Sequence, residues 1–109
     1  MTGARLDKWL WFARFARTRS LAAKLCSAGA VTVAGATASK PGQTVRVGDV
    51  VTVRQGRMSR RVVVLAFGER RGGAAEARLL YDEPEAPLAL DDAERGAWVA
   101  LIDEAAAGE

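Results

Sequence analysis

The hydrophobic period of this chain changes at Gly29, and that change constrains the fold more than any other feature. Before it, Leu6, Trp9, Leu10 and Ala13 recur at helical spacing, and Leu21, Ala22, Leu25 and Ala28 do so again. After it, Val31 and Val33, Val45 and Val47, then Val51 and Val53 stand two apart, as on half-buried strands. A helical pair followed by short strands is the expected order. The fold class is therefore α+β, with two N-terminal helices packed on a small, mostly antiparallel, twisted sheet.

The punctuation supports this division. Asp7 falls in the first turn of the first helix, where a carboxylate favours the N-terminal end. Thr18 is an N-cap candidate for a second helix over 19–28, with Gly29 to end it, so Arg17-Thr18-Arg19 forms a three-residue corner. Trp11 and Phe15 make an i, i+4 pair on the other side of the first helix. Packing on a neighbouring layer is preferred for them over stacking on bases. Ala34-Gly35 reads as a turn, Lys40-Pro41-Gly42 as a stiffened loop, and Gly48-Asp49 as a second turn. Strands are expected over 50–53 and 61–67, with a polar, basic loop over 55–60 between them. A Gly-containing turn over 70–75 then leads into 76–81, which would close a hairpin. The acidic, Pro-broken run after Tyr81 reads as a linker. An Ala-rich C-terminal helix is expected within 90–107, docked through Trp98 and Leu101.

With 109 residues the chain has room for one core; at this size folding buries roughly two-thirds of the unfolded surface. Residues 1–83 are expected to form the domain and 84–109 an acidic linker and helix. Charge is strongly segregated. Residues 1–61 carry twelve Lys and Arg against Asp7 and Asp49, a net +10, whereas residues 62–109 carry four Arg against eleven acids, a net −7. Such a split points to a basic surface for a polyanion and an acidic tail. One cysteine and no histidine disfavour an intrachain disulfide or a zinc site. No nucleophile elbow, phosphate-binding loop or metal-ligand cluster occurs, and Asp7 and Asp49 read as structural acids. Cys26 reads as a small core residue. The N-terminus lacks a signal-peptide pattern and no apolar run reaches membrane-spanning length, so a cytoplasmic protein without a membrane partner is expected.

The basic residues concentrate on the helical pair. Lys8 and Arg14 lie away from the Leu6/Leu10 stripe on a helical wheel, and Arg17, Thr18, Arg19 and Ser20 occupy the corner and the start of the second helix. That start also offers unpaired N–H groups and a positive dipole end to a phosphate. Lys24 is one turn beyond Ser20, and Lys40 reaches the same surface only if its loop folds back. Two other classes are open on the residues alone. One is a DNA-binding helix-turn-helix protein, disfavoured because the second helix lacks Asn and Gln for reading adenine. The other is a protein-interaction module whose acidic terminal helix engages a basic partner or covers the basic face.

Five blocks in order carry a resemblance: R-L-D-K-W-L-W, T-R-S-L-A, G-A-V-T-V-A-G, K-P and V-G-D-V-V-T-V, from Arg5 to about Val53. Together they resemble the RNA-binding domain of the ribosomal protein S4 type, the alpha-L motif. The double Trp, the R-Q-G after the third strand and L-L-Y-D-E extend the similarity to about Glu83. They resemble most closely the small bacterial ribosome-associated heat-shock protein family. Two departures stand out: Ala34 replaces the Asn usual in the turn, and the C-terminus is acidic where those proteins commonly end in Lys and Arg.

The resemblance implies a non-catalytic, cofactor-free binder of structured RNA. Ribosomal RNA is the first candidate, and the large ribosomal subunit a candidate partner in translation stress or recycling. It places Arg5, Lys8, Thr18, Arg19, Ser20, Lys24 and Lys40 on the RNA surface; Arg14 and Arg17 join them from the wheel. A monomer is expected.

Overall fold

The computed structural model describes residues 3–38, 40–55 and 58–89. A two-residue strand, β1 (Ala4–Arg5), runs directly into helix α1 (Leu6–Phe12), and α2 (Arg19–Ser27) follows after a corner. Strands β2 (Val31–Val33), β3 (Ala36–Thr37), β4 (Thr44–Val45), β5 (Val50–Gln55) and β6 (Met58–Val64) come next. A short helix α3 (Ala74–Ala77), a 3₁₀ turn (Arg78–Leu80), β7 (Tyr81–Asp82) and β8 (Leu88–Ala89) complete the order. The main sheet runs β3-β2-β5-β6-β7, with β8 also on β6, and every pairing is antiparallel. β1 and β4 form a separate two-stranded ribbon, Ala4 opposite Val45.

One face of the sheet and the inner faces of both helices make the core. Val31, Val51, Val53, Val62 and Val64 are fully buried with Leu6, Trp9, Leu10, Ala22, Leu25 and Cys26. Trp9 also closes its polar end, Nε1 donating to the Ala66 carbonyl at 2.9 Å. Cys26 lies in this apolar layer; burial first, then the negative charge of Asp7, pushes its thiol up to about 12, so it stays protonated and inert.

The first helix is shorter than its spacing predicts. Arg14 takes φ 65°, its N–H donating to the Trp11 carbonyl (3.1 Å) and the Phe15 N–H to that of Leu10 (2.9 Å). This paired closure usually carries glycine at the left-handed position. α2 ends the same way around Gly29, φ 79°, with Gly29 N–H on the Cys26 carbonyl and Ala30 N–H on that of Leu25. The corner therefore spans 13–18 rather than three residues, and Phe15 lies off the helix. Its ring turns into the core, 5.9 Å from Trp9 and 4.9 Å from Tyr81 between centroids. Trp11, half-buried, packs beside Phe12 at 5.5 Å.

Three sequence expectations for the second half are corrected. Most of the expected loop over 55–60 is strand instead, because Gln55 pairs with Met58 and the antiparallel register continues through both strands. β6 ends at Val64, not 67: the Leu65 and Ala66 N–H groups both turn onto the Leu80 carbonyl, which bends the chain out of the ladder. Residues 74–80 are helical rather than part of a hairpin. Ala74-Ala75-Glu76-Ala77 favours helix and lacks β-branched side chains. The acidic linker meanwhile returns along β6, where Leu88 faces Ser59. The expected C-terminal helix with Trp98 and Leu101 lies outside the described residues.

Candidate nucleic-acid interface

The organising residue at the helical end is Asp7. It is buried to 4% exposure, and its carboxylate accepts from Arg5 Nε and Nη2, both at 3.1 Å, and from the Lys8 N–H at 2.7 Å. Arg19 Nε stands 4.0 Å away. Burial alone would raise the carboxyl pKa. The hydrogen bonds from Arg5 and Lys8, with the charges of Arg5 and Arg19, outweigh it and hold Asp7 below the usual carboxylate range. Asp7 thus ties the entry to α1 to the start of α2. Among the described residues it is the one carboxylate touching any of the nine candidates. Arg5 and Arg19 keep side-chain exposures of 56% and 46%, so both still offer donors to solvent.

The 40–43 loop does fold back. The Leu6 N–H donates to the Gln43 carbonyl at 2.8 Å and the Asp7 N–H to that of Pro41 at 3.0 Å. Gly42 lies against the Arg5 guanidinium, so close that a Cβ there would stand 3.3 Å from Cζ. The loop backbone thereby consumes the first N–H groups of α1 and brings the exposed Lys40 to the same end of the molecule.

At the start of α2 the Thr18 hydroxyl accepts from the Leu21 N–H at 3.0 Å, the cap its sequence position predicts. The N–H groups of Arg19 and Ser20 have no partner among the described residues, and both side chains are exposed. Lys24, one turn on, is exposed as well. On α1, Lys8 Nζ lies 5.4 Å from the Phe12 ring centre and stays in solvent. Arg17 is exposed on the corner. Arg14 belongs to a different set of contacts: its Nη1 donates to the Gly72 carbonyl at 2.8 Å.

Two residues escaped the sequence reading. Gln55 Nε2 donates to the Phe15 carbonyl at 2.8 Å, anchoring the corner to the end of β5. Arg60 occupies an inward register position on β6, its guanidinium 4.7 Å from the Phe15 ring centre and in a double hydrogen bond with Glu83. The adjacent Arg60-Arg61 pair inside an apolar strand was the available signal. The acid opposite each was not visible before the linker was seen to return: Glu83 meets Arg60 at 2.8 Å and Glu85 meets Arg61 at 3.6 Å. Glu83 and Glu85 therefore pair on β6, not on the α1–α2 cations. Asp49 accepts from the Arg46 N–H at 2.9 Å and closes its turn, with no link to Asp7.

Residues 4–51 match the S4 domain family. A heat shock protein 15 homolog of Aeromonas salmonicida is 49% identical over 87 residues, 80% of this chain and 65% of the relative. Heat shock protein 15 of Escherichia coli K12 is 48% identical over 79 residues, 72% of this chain and 59% of the relative. The chain thus spans slightly less than two-thirds of the length of these curated relatives. Among solved structures, that of Vibrio cholerae heat shock protein 15, described as trimeric, superposes with a TM-score of 0.70 at 41% identity, covering 75% of this chain and 82% of that one. At 41% identity over 82% of that solved chain, and with residues 4–51 matching the S4 domain, the chain belongs to the heat shock protein 15 family of S4-domain proteins.

Proposed function

We propose that this chain is a non-catalytic binder of structured RNA, ribosomal RNA in the first instance, acting on the large ribosomal subunit under translation stress or during recycling. The observation that carries this is the start of α2, where Arg19, Ser20 and Lys24 are exposed, the first helix N–H groups have no partner among the described residues, and Asp7 hydrogen-bonds Arg5 and stands 4.0 Å from Arg19. Phosphate recognition needs donors held on rigid elements, and this end provides them. Membership in an S4-domain family supports RNA over DNA, and the names of the relatives support the link to stress. Lys8, Arg17 and Lys40 extend the cationic surface; Thr18 acts on it by capping α2 rather than through charge.

Filter binding to a folded ribosomal RNA fragment tests the reading. If about six phosphates are neutralised, log affinity falls against log salt with a slope of roughly −4 to −5. Arg19→Ala combined with Lys24→Ala should weaken binding with little change in melting temperature. Unchanged binding in that variant, or a preference for duplex DNA over the RNA, would remove the assignment.

A further inference from the structure

A second cationic site lies away from the start of α2. Between the corner and the 3₁₀ turn runs a cleft of about 560 Å³, lined by Arg14, Arg60, Arg78, Tyr81 and Glu83 over the small side chains of Ala74 and Ala77. Three arginines and one carboxylate thus line a concave surface. The carboxylate is spent on Arg60, held through Nε at 3.0 Å and Nη2 at 2.8 Å, and Tyr81 Oη accepts from the same Nη2 at 3.4 Å. Arg60 Nη1 retains its donors, with no partner among the described residues. Arg14 uses one Nη1 bond on Gly72. Arg78 is exposed and contacts no acid, carbonyl or ring among the described residues.

Like charges gathered in a concavity raise its potential and attract a counter-anion. Arginine forks suit a planar or tetrahedral oxyanion in two-point contact. The Phe15 and Tyr81 rings, 4.7 and 5.9 Å from Arg60, clamp one wall so that its unused donors are preorganised. We infer that this cleft is a second phosphate site for the RNA of the proposed function, with Arg78 and Arg14 as the phosphate-binding side chains and Arg60 as their fixed neighbour. The bound RNA then contacts both the start of α2 and the sheet edge beside α3. This inference rests on the RNA-binding reading, and its test separates the two.

The test is the salt dependence of binding to the same ribosomal RNA fragment, measured on the full chain. Arg78→Ala removes a side chain with no partner among the described residues, so melting temperature should hold while the slope flattens by about one unit. Arg78→Lys should restore part of the affinity, since a point charge replaces a fork. Arg14→Gln with Arg78→Ala should flatten the slope by about two units. Loss of slope in both the cleft variant and Arg19→Ala/Lys24→Ala supports two phosphate sites. A normal slope in Arg78→Ala, with the α2 variant impaired, overturns the cleft and leaves the RNA reading standing. Wild-type protein that binds no RNA overturns both.

Discussion

Ala34 shows how a single residue can keep a turn that its side chain does not favour. It sits at φ 52° in the two-residue connection between β2 and β3, followed by Gly35 at φ 85°. Both central positions are left-handed, the geometry that hairpin turns prefer and that Asn-Gly supplies cheaply. A non-glycine residue such as alanine there costs about 1 kcal/mol. Ala34→Asn should therefore stabilise the domain by about 0.5–1 kcal/mol, read as a higher urea midpoint at unchanged m-value; no gain would mean the strain is relieved elsewhere. Asp7 makes the opposite case. Its carboxyl is held below its ordinary pKa in the fold, so its contribution is complete above the unfolded value near pH 4 and is lost as pH falls through the folded one. Asp7→Asn should cost about 1–3 kcal/mol at pH 7, and the cost should start to shrink as pH falls below about 4, so that it is smaller at pH 3. Urea melts of both proteins at the two pH values check this. A difference that does not shrink in acid would show that Asp7 acts by packing rather than by charge.

At the scale of elements, the corner between α1 and α2 explains how much the sequence could show. The stripe of the first helix, Ala22 and Leu25 on the second, the Thr18 cap and the Gly29 stop are legible because each is a local rule, whereas Ala28, expected on the stripe, lies past α2 and is exposed. The end of α1 is not legible, because Arg14 fills a position where glycine is the usual signal, and so Phe15 was assigned to the wrong face. The two strands at 50–53 and from 61 are legible, but their extension to Gln55 and Met58 is not, for a related reason: polar, basic residues at 55–60 look like a loop until their partners across the sheet are known. Among the site residues, Arg19, Ser20 and Lys24 are placed by local helix geometry, whereas the contacts of Arg5 and Lys40 depend on the loop at 40–43 folding onto α1. Gln55 is the clearest long-range tie. Forty residues from Phe15, it satisfies a carbonyl of the corner that would otherwise be left without this bond. Gln55→Met, close in size, should cost about 1–2 kcal/mol and speed amide exchange in residues 13–18 before the rest of the domain. Uniform acceleration across the domain would instead make the tie a global one.

Across the whole molecule, the segregation of charge acquires a spatial meaning. The +10 of residues 1–61 does not face the acids of the second half indiscriminately. Glu83 and Glu85 are drawn onto Arg60 and Arg61 as the chain passes from β7 to β8, leaving the α1–α2 cations with Asp7 alone among the described residues. These two acids should behave differently when removed. Glu83 shares a half-buried double hydrogen bond with Arg60, which holds its carboxyl below the usual range through that bond against the opposing effect of burial. Glu85 is 65% exposed against an equally open Arg61, and such pairs contribute about 0–1 kcal/mol. Glu83→Gln should therefore lower the urea midpoint, while Glu85→Gln should leave it nearly unchanged. Both raise net charge by one, so both should strengthen RNA binding at low salt, an effect that fades as the screening length shortens to about 8 Å at physiological ionic strength. If Glu85→Gln strengthens binding equally at all salt concentrations, its carboxylate acts by contact at the RNA surface rather than through the field of the whole protein. If it has no effect at any salt, Glu85 is remote from bound RNA, and the footprint is confined to the helical end and the Arg14/Arg78 cleft.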